Sequence, residues 1–134
     1  MKKALVEGSI CIGPHFSRAE FIEIKENLQK KNGLDTLARL LSSASNPQRI
    51  RILSLLHSHK EMCVCDLGEV LGISVSAVSQ HLRRLKDMHV VTSRKDAQTV
   101  YYSLANNSFA RFLGELLSTE ETKKQFALIS MERE

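Results

Sequence analysis

The sequence lacks the features that membrane and secreted proteins need. No apolar run approaches the roughly 18 residues of a membrane-spanning helix. The basic first residues resemble the start of a signal peptide, but Glu7, Gly8 and Ser9 interrupt any apolar segment behind them. Only three cysteines occur, an odd number that argues against a framework of disulfides. We therefore expect a cytoplasmic protein whose cysteines bind metal or sense redox state.

Composition sets only broad limits on what the chain does. Its 134 residues allow one domain and are too few for two of ordinary size. Hydrophobic residues make up 43% and charged residues 25%, which is ordinary for a globular protein. The formal net charge of +4 permits an acidic partner without identifying one. The position of the basic residues is therefore more informative than their number.

Most of the chain carries the periodicity and capping signals of helices. A capping box begins at Ser17, Asn46 and Pro47 are typical of a helix start, and Ser74 follows a glycine turn. Two β-rich runs farther along predict a hairpin. In chain order the predicted elements are helices at 17–31, 34–43, 46–59, 62–71 and 75–88, strands at 90–94 and 99–104, a helix opening at 106–108, and a last helix with a capping box at 118–121.

The order of these elements predicts a mainly α protein with a β-hairpin wing, that is, an α+β winged helix-turn-helix. We expect residues 1–14 to form a flexible N-terminal arm, because they lack periodicity and contain two glycines and a proline. The winged helix-turn-helix domain then spans residues 15–118, with its DNA-binding core at about 46–104. Residues 119–134 are expected to form a polar C-terminal helix or tail.

The predicted helix at 75–88 has the two faces of a DNA recognition helix. Its apolar side consists of Val75, Val78, Leu82 and Leu85. Short polar side chains at the start of the opposite face can reach base edges in the major groove, and arginines farther along reach phosphates. The polar face consists of Ser76, Ser79, Gln80, Arg83, Arg84 and Asp87. His81 lies near the apolar edge, so packing is its expected role.

Positive charge is concentrated in the second half of this helix and the hairpin. Between residues 83 and 96 there are five basic and two acidic residues, a net charge of +3 in one short segment. We predict that the basic side chains hold the DNA backbone, with Arg94-Lys95 at the hairpin tip acting as the wing. The basic residues are Arg83, Arg84, Lys86, Arg94 and Lys95. The alternative is a merely solvated surface, which the short helix, glycine turn and hairpin around it disfavour.

Cys63-Val64-Cys65 points to a second function. Residues two apart lie about 200° from each other around a regular helix, so the two thiolates can share an ion only if Cys63 precedes the helix. A helix N-terminus also favours the thiolate form, which is the form that binds metal. The alternative is that these cysteines are small buried hydrophobic residues.

Two thiolates do not complete a metal site, and the remaining candidate ligands lie in the N-terminal arm. Cys11 would add a third sulfur, and His15 would complete a set of three sulfurs and one nitrogen. Soft sites of this kind suit Cd(II), Pb(II), Zn(II), Cu(I) and As(III). The alternative for His15 is that it only precedes the first helix. His57 and His59 end a helix, where cationic or polar side chains are expected without any metal.

Three segments of the chain match a known pattern. They are NPQRIRIL at 46–53, CVCDL at 63–67 and SAVSQHL at 76–82. These segments resemble the ArsR/SmtB family of metal-responsive repressors, and the resemblance extends from about Leu34 to Leu104. The long arm and first helix look most like the CadC branch, whose members sense cadmium, lead and zinc.

The resemblance implies a homodimer joined through its first and last helices, and repression of an efflux or detoxification operon. In the CadC branch two arm cysteines spaced Cys-X₃-Cys join the Cys-X-Cys pair of the other subunit. The matching positions here are Cys11 and His15, so an imidazole replaces one thiolate. Arsenic-sensing members often carry a further cysteine where this chain has Gly68, so arsenite sensing would have to recruit Cys11. The zinc site that many relatives form between C-terminal helices is expected to be absent, because no His or Cys follows His89.

The combined prediction is a cytoplasmic, dimeric repressor that is released from double-stranded operator DNA when Cd(II), Pb(II) or Zn(II) binds the cysteine site. An As(III)-responsive repressor and a thiol redox switch using the same cysteines remain alternatives. An enzyme is disfavoured because only Glu61 and Asp66 offer acid-base groups beside the cysteines. A metal carrier that binds no DNA is disfavoured by the hairpin and the recognition face. We expect neither a membrane nor a small-molecule substrate as a partner.

Overall fold

The computed structural model describes the backbone of residues 3–6, 9–13 and 15–132, and the side chains of residues 13 and 15–132. The chain forms two compact units, residues 1–37 and 38–134, and the second helix contributes to both. In chain order the elements are β1 (Lys3–Val6), β2 (Ser9–Ile12), α1 (Arg18–Lys30), α2 (Leu34–Ala44), α3 (Pro47–His59), β3 (Glu61–Cys63), α4 (Val64–Leu71), α5 (Val75–Asp87), β4 (Val91–Asp96), β5 (Thr99–Leu104), α6 (Ser108–Ser118) and α7 (Glu120–Met131). Among the described helices, none has both the length and the apolar character that crossing a membrane requires.

The first unit opens with two short antiparallel strands in the segment that was expected to be a flexible arm. Lys3 lies opposite Ile12, and Val6 lies opposite Ser9. The segment that was expected to be a flexible arm therefore contains a short β-hairpin. A strand of four residues is too short for an alternating pattern to be recognised, and its stability comes from cross-strand pairing.

Helix α1 begins at the predicted capping box. The backbone N–H of Ser17 donates to Oε2 of Glu20 at 2.6 Å, and the backbone N–H of Glu20 donates to Oγ of Ser17 at 3.2 Å. These reciprocal bonds satisfy two donors that would otherwise lack a partner at the helix start. They also lower the pKa of the Glu20 carboxyl, chiefly through the bond from the Ser17 backbone.

Three helices of the second unit, α3, α5 and α6, begin where polar caps predict them. Oδ1 of Asn46 accepts from the backbone N–H groups of Gln48 at 2.9 Å and Arg49 at 3.2 Å, which begins α3. Oγ of Ser74 accepts from the backbone N–H of Ala77 at 3.1 Å, which begins α5. Asn107 caps α6 in the same way. These three predicted starts are confirmed.

Helices α4 and α5 form the helix-turn-helix around a tight glycine turn. Gly72 ends α4 in the left-handed conformation, with φ of 67°. Gly68 is buried against the turn, and a Cβ at this position would lie 3.1 Å from the carbonyl oxygen of Ile73. A side chain at residue 68 would therefore require the turn to shift, which bears on the absence of a third cysteine there.

The core lies between α3, the helix-turn-helix and the sheet. Its fully buried side chains are Ile52, Leu53, Leu56, Leu67, Val78, Leu82, Leu85, Val90 and Val91. Three of the four residues predicted on the inner side of α5 belong to this set. The exception is Val75, which is 49% exposed because it is the first residue of α5 and lies at the edge of the turn.

A three-stranded sheet with the order β3-β5-β4 forms the wing and its base. The hairpin of β4 and β5, which we call the wing, has Val91 opposite Leu104 and Asp96 opposite Thr99. Its strands are longer than predicted, so the tip lies at residues 97–98 and not at the Arg94-Lys95 pair. The turn is tight enough to place Ala97 at φ of 55°.

Two further predicted boundaries are wrong. Residue 62 was expected to begin a helix, but Glu61–Cys63 is a strand paired with β5, and α4 begins at Val64. A three-residue strand depends on a partner about forty residues away and leaves no local signal. Ser118 was expected to open the last capping box, but it is the final residue of α6. Thr119 is the cap of α7, and its Oγ1 accepts from the backbone N–H of Thr122.

Candidate DNA-binding face and cysteine pair

Helix α5 presents a continuous polar face to solvent. The short polar residues Ser76, Ser79 and Gln80 are exposed along its first half, and the arginines follow on the second half. The opposite side is anchored in the core through Val78 and Leu82. A rigid helix with hydrogen-bonding side chains near its N-terminus and cations behind them fits the geometry that reads a major groove. The exposed polar and basic residues of this face are Ser76, Ser79, Gln80, Arg83, Arg84 and Lys86.

The recognition helix and the wing are joined by a direct hydrogen bond. Nζ of Lys86 donates to Oγ of Ser93 at 2.7 Å. Lys86 remains exposed, so its ammonium can still reach a phosphate on the same side. The contact links the end of α5 to strand β4 of the wing.

His81 packs at the inner edge of α5, in the role expected for it. Its Nδ1 lies 3.5 Å from Nη1 of Arg49. Arg49 in turn donates from Nε to the carbonyl oxygen of Ser43 at 2.5 Å, so α2, α3 and α5 meet at this point. Burial lowers the pKa of His81, and the positive charge of Arg49 adds to the effect. Sequence reasoning did not single out Arg49.

Arg94 has three partners in the three-stranded sheet, which sequence reasoning did not find. Its Nε donates to Oε2 of Glu61 at 2.9 Å, and its Nη2 donates to Oε1 of Glu61 at 2.5 Å. The guanidinium carbon lies 4.7 Å from the centre of the Tyr101 ring, and Asp96 lies 4.0 Å from Nη1. The hydrogen bonds from Arg94 lower the pKa of Glu61 and raise that of Arg94. Lys95, the next residue, is exposed opposite Val100.

The cysteine pair straddles the start of α4. Cys63 is the last residue of β3 and the cap of α4, with extended φ of −83° and ψ of 164°. Its Sγ accepts from the backbone N–H of Asp66 at 3.5 Å. Cys65 is the second residue of the helix and is exposed. The condition for the two sulfurs to share one ion, namely that Cys63 precedes the helix, is therefore met.

The other two predicted metal ligands belong to the first unit. His15 is exposed, whereas the side chain of Cys11 lies outside the described residues and only its backbone is placed, in β2 opposite Ala4. Within the side chains that the structure describes, no group of three or more His, Cys, Asp or Glu forms a metal site. His57 and His59 are exposed, and His57 packs against Gly114, where a Cβ would lie 2.7 Å from Nδ1.

Apolar side chains are exposed along several helices at both ends of the chain. On α1 they are Ile22, Ile24 and Leu28, and each is about half exposed. Helix α7 carries a similar set. These exposed side chains are Phe126, Leu128, Ile129 and Met131, together with Phe112 and Leu116 on α6. Apolar side chains left exposed on one face of a helix are typical of a surface that contacts another protein.

The fold and the polar face of α5 together define a DNA-binding protein of the winged helix-turn-helix class. Comparison with known proteins leads to the same class. The family described as bacterial regulatory protein, arsR family, matches residues 46–93. The nodulation protein NolR of Rhizobium meliloti is 40% identical over 88 residues, which cover 66% of this chain and 71% of that protein.

Two further relatives extend the comparison. A homologue of the cadmium resistance transcriptional regulatory protein CadC from Staphylococcus aureus is 36% identical over 80 residues, covering 60% of this chain and 65% of that protein. The structure of HlyU from Vibrio cholerae N16961 matches with a TM-score of 0.60 and 36% identity, covering 65% of this chain and 92% of that chain. The chain belongs to the ArsR family. Its members are DNA-binding transcriptional regulators and not enzymes. The predicted family and the prediction that the protein is not an enzyme are therefore confirmed.

Proposed function

We propose that this regulator is a repressor that leaves its operator when a thiophilic metal ion binds Cys63 and Cys65. The observation that carries the proposal is the position of the pair at the entry of the helix-turn-helix. Cys63 is extended and Cys65 is in the first turn of α4, so one ion can draw on both sulfurs. The CadC homologue is named for cadmium resistance, and this agrees with a soft metal as the effector.

The ligand set that we propose adds Cys11 and His15 from the arm. Three sulfurs and one imidazole nitrogen form a tetrahedral ligand set suited to Cd(II) or Zn(II). Pb(II) would be bound chiefly by the three sulfurs of this set. The arm reaches either the pair of its own chain or that of a partner subunit. In both cases binding ties a terminal segment to the first turn of α4.

The pair is well placed to influence DNA binding. Helix α4 packs on α5, with Leu67 of α4 buried in the core, and β3, which ends at Cys63, pairs with strand β5 of the wing. A ligand that pulls on the start of α4 therefore acts on both DNA-facing elements. Metal and DNA must then weaken each other's binding by the same factor, and a typical coupling of about 1–3 kcal/mol corresponds to roughly 5- to 150-fold.

We further propose that the regulator works as a homodimer in the cytoplasm. A two-fold dimer would present two recognition helices to half-sites about 34 Å apart, one turn of the DNA helix. The exposed apolar side chains of α1 and α7 supply surface that a second subunit would cover.

The experiment is operator binding by fluorescence anisotropy, using duplex DNA from upstream of the protein's own gene. The metal-free protein is titrated, and Cd(II), Pb(II), Zn(II) and As(III) are then added separately in a reductant that does not compete for metal. We expect Cd(II), Pb(II) or Zn(II) to lower the affinity about tenfold or more, within the usual range of allosteric coupling. Cys63→Ser should abolish this release while leaving metal-free binding intact, because serine is a good helix cap and keeps the start of α4.

Variants of the arm and of the pair identify the ligands and the effector. Cys65→Ser should behave like Cys63→Ser, whereas Cys11→Ser and His15→Gln should each weaken the response if the arm contributes ligands. Release by As(III) alone would establish the arsenite-responsive alternative. Release by peroxide, lost in Cys63→Ser, with no effect of any ion, would replace metal sensing by a redox switch.

A further inference from the structure

The ion pair between Glu61 and Arg94 joins the strand of the cysteine pair to the wing. It is bidentate, with donor–acceptor distances of 2.9 and 2.5 Å. Glu61 belongs to β3 and Arg94 to β4, and β5 lies between these two strands. The contact therefore spans the full width of the sheet and closes over the strand in the middle.

The register places the participating side chains on one face of the sheet. Cys63 lies opposite Tyr101, and Tyr101 lies opposite Arg94, so these three residues form one row across the strands. Glu61 lies two residues before Cys63 and on the same face, because side chains alternate along a strand. The guanidinium carbon of Arg94 lies 4.7 Å from the centre of the Tyr101 ring. The ring covers the face of the guanidinium, so the N–H groups at the edge of the guanidinium stay available to an anion.

The ion pair lies at the surface, where another anion can reach it. The side chain of Arg94 is 54% exposed and that of Glu61 is 37% exposed. A guanidinium binds phosphate with the same two-pronged geometry that it uses for a carboxylate. The basic wing is also the element expected to meet the DNA backbone. A DNA phosphate and the Glu61 carboxylate are therefore alternative partners for the same N–H groups.

We propose that Glu61 competes with a DNA phosphate for Arg94, so that the wing guanidinium exchanges an internal carboxylate for the DNA backbone when the protein binds. The proposal rests on the DNA-binding part of the proposed function and needs no metal. Glu61 then lowers DNA affinity, since its bond with Arg94 has to break before the new contact forms. The contrary role, in which Glu61 holds Arg94 in position for DNA, predicts the opposite sign.

The test compares metal-free Glu61→Gln with the parent protein on the upstream duplex and on a duplex of unrelated sequence and equal length. Loss of the carboxylate charge should raise the affinity about two- to fivefold per subunit, the range of an exposed ion pair. The gain should appear on both duplexes, because phosphates carry no sequence information. Glu69→Gln is the matched control, since Glu69 is exposed on α4 and makes no ion pair with any described residue. Its effect should be smaller.

A second variant, Arg94→Gln, tests the proposed contact between Arg94 and DNA. It should reduce the slope of the logarithm of the DNA-binding constant against the logarithm of salt concentration by about 0.9 per subunit, as expected for one lost phosphate contact. In the Arg94→Gln background, Glu61→Gln should give no more gain than Glu69→Gln. Weaker binding by Glu61→Gln, a gain that survives without Arg94, or an unchanged salt slope in Arg94→Gln would each overturn the proposal. Should Glu61→Gln fail to fold by circular dichroism, Glu61→Thr, which also removes the carboxylate and suits a strand, takes its place with the same expectations. Because every measurement is made without metal, a failed metal response leaves this result intact.

Discussion

Among the ionisable side chains of α5, His81 alone is half-buried, and it faces a cation. Arg49 approaches its Nδ1 at 3.5 Å while also binding the carbonyl oxygen of Ser43, the next-to-last residue of α2. A neutral imidazole accepts the hydrogen bond that Arg49 offers, whereas an imidazolium would repel it. The protonation state of His81 therefore bears on how α5 is held against α2 and α3.

We expect His81 to make the folded protein more sensitive to acid. Its pKa in the folded state is depressed by burial and by Arg49, so its contribution to stability is present above the ordinary histidine pKa of 6.5 and is lost as the pH falls through the folded value. The free energy of unfolding should therefore fall more steeply below pH 6.5 in the parent protein than in His81→Gln. Urea unfolding at a series of pH values measures this difference.

The comparison with His81→Gln isolates the histidine from the carboxylates. Glu20 and Glu61 also have depressed pKa values, but both are common to the two proteins and titrate at lower pH. His89→Gln is the control, because His89 is exposed. Parallel pH profiles for the parent and His81→Gln would exclude a role for this residue in acid sensitivity.

The wing contains a turn whose backbone departs from ideal geometry. Its strands run to Asp96 and from Thr99, which leaves a two-residue turn of Ala97 and Gln98. Ala97 has φ of 55°, a conformation in which a Cβ is strained and that glycine adopts freely. The hairpin is therefore held by its strands and by the Glu61–Arg94 pair against an unfavourable turn.

Replacing Ala97 by glycine should stabilise the protein. Relief of the left-handed strain, about 1–2 kcal/mol, outweighs the entropy that an added glycine gives the unfolded chain, roughly 0.4–1 kcal/mol. We expect a net gain of up to about 1 kcal/mol in the free energy of unfolding, measured in urea. Gln98→Gly is the matched control, because residue 98 has no positive φ in the structure and should only lose stability. A loss in Ala97→Gly as large as that in Gln98→Gly would contradict this account of the turn.

At the level of the whole molecule, the main open question for stability is the apolar surface that a single chain leaves exposed to solvent. On α1, Ile24 and Leu28 are four residues apart and therefore share one face, at 46% and 57% exposure. Burying such side chains contributes about 1.5–3 kcal/mol each. In the proposed dimer these side chains would be covered by the second subunit.

We expect Ile24→Glu combined with Leu28→Glu to convert the proposed dimer into a monomer. Two carboxylates on the apolar face would be desolvated without partners on association, which costs more than the contact contributes. Sedimentation velocity at micromolar concentration should give a mass near the 15.1 kDa of one chain, against twice that value for the parent. Operator affinity should fall with it, because a monomer contacts only one half-site.

Lys25→Glu controls for added negative charge on the same helix. Lys25 is exposed between the two apolar residues, and its replacement should leave the dimer intact. A monomeric parent protein, or an unchanged dimer in the double variant, would show that α1 is not the subunit interface.

Local patterns in the sequence determined most of the elements of this protein. The caps at Ser17, Asn46 and Ser74 are confirmed because a cap and the N–H groups it satisfies lie within three residues of each other. The two faces of α5 followed from helical periodicity alone, and so did the exposure of its polar residues. The segments that resemble the ArsR family could also be recognised from the sequence, because each is a short continuous stretch of the chain.

Tertiary structure alone decided the features that depend on partners distant in sequence. β3 exists only because β5 pairs with it, and the Glu61–Arg94 and Arg49–His81 contacts each join residues more than thirty positions apart. The hairpin tip moved because the strand register, and not composition, decides where pairing ends. Periodicity and caps are short-range effects, whereas strand pairing and ion pairs depend on chain segments that meet only in the folded protein.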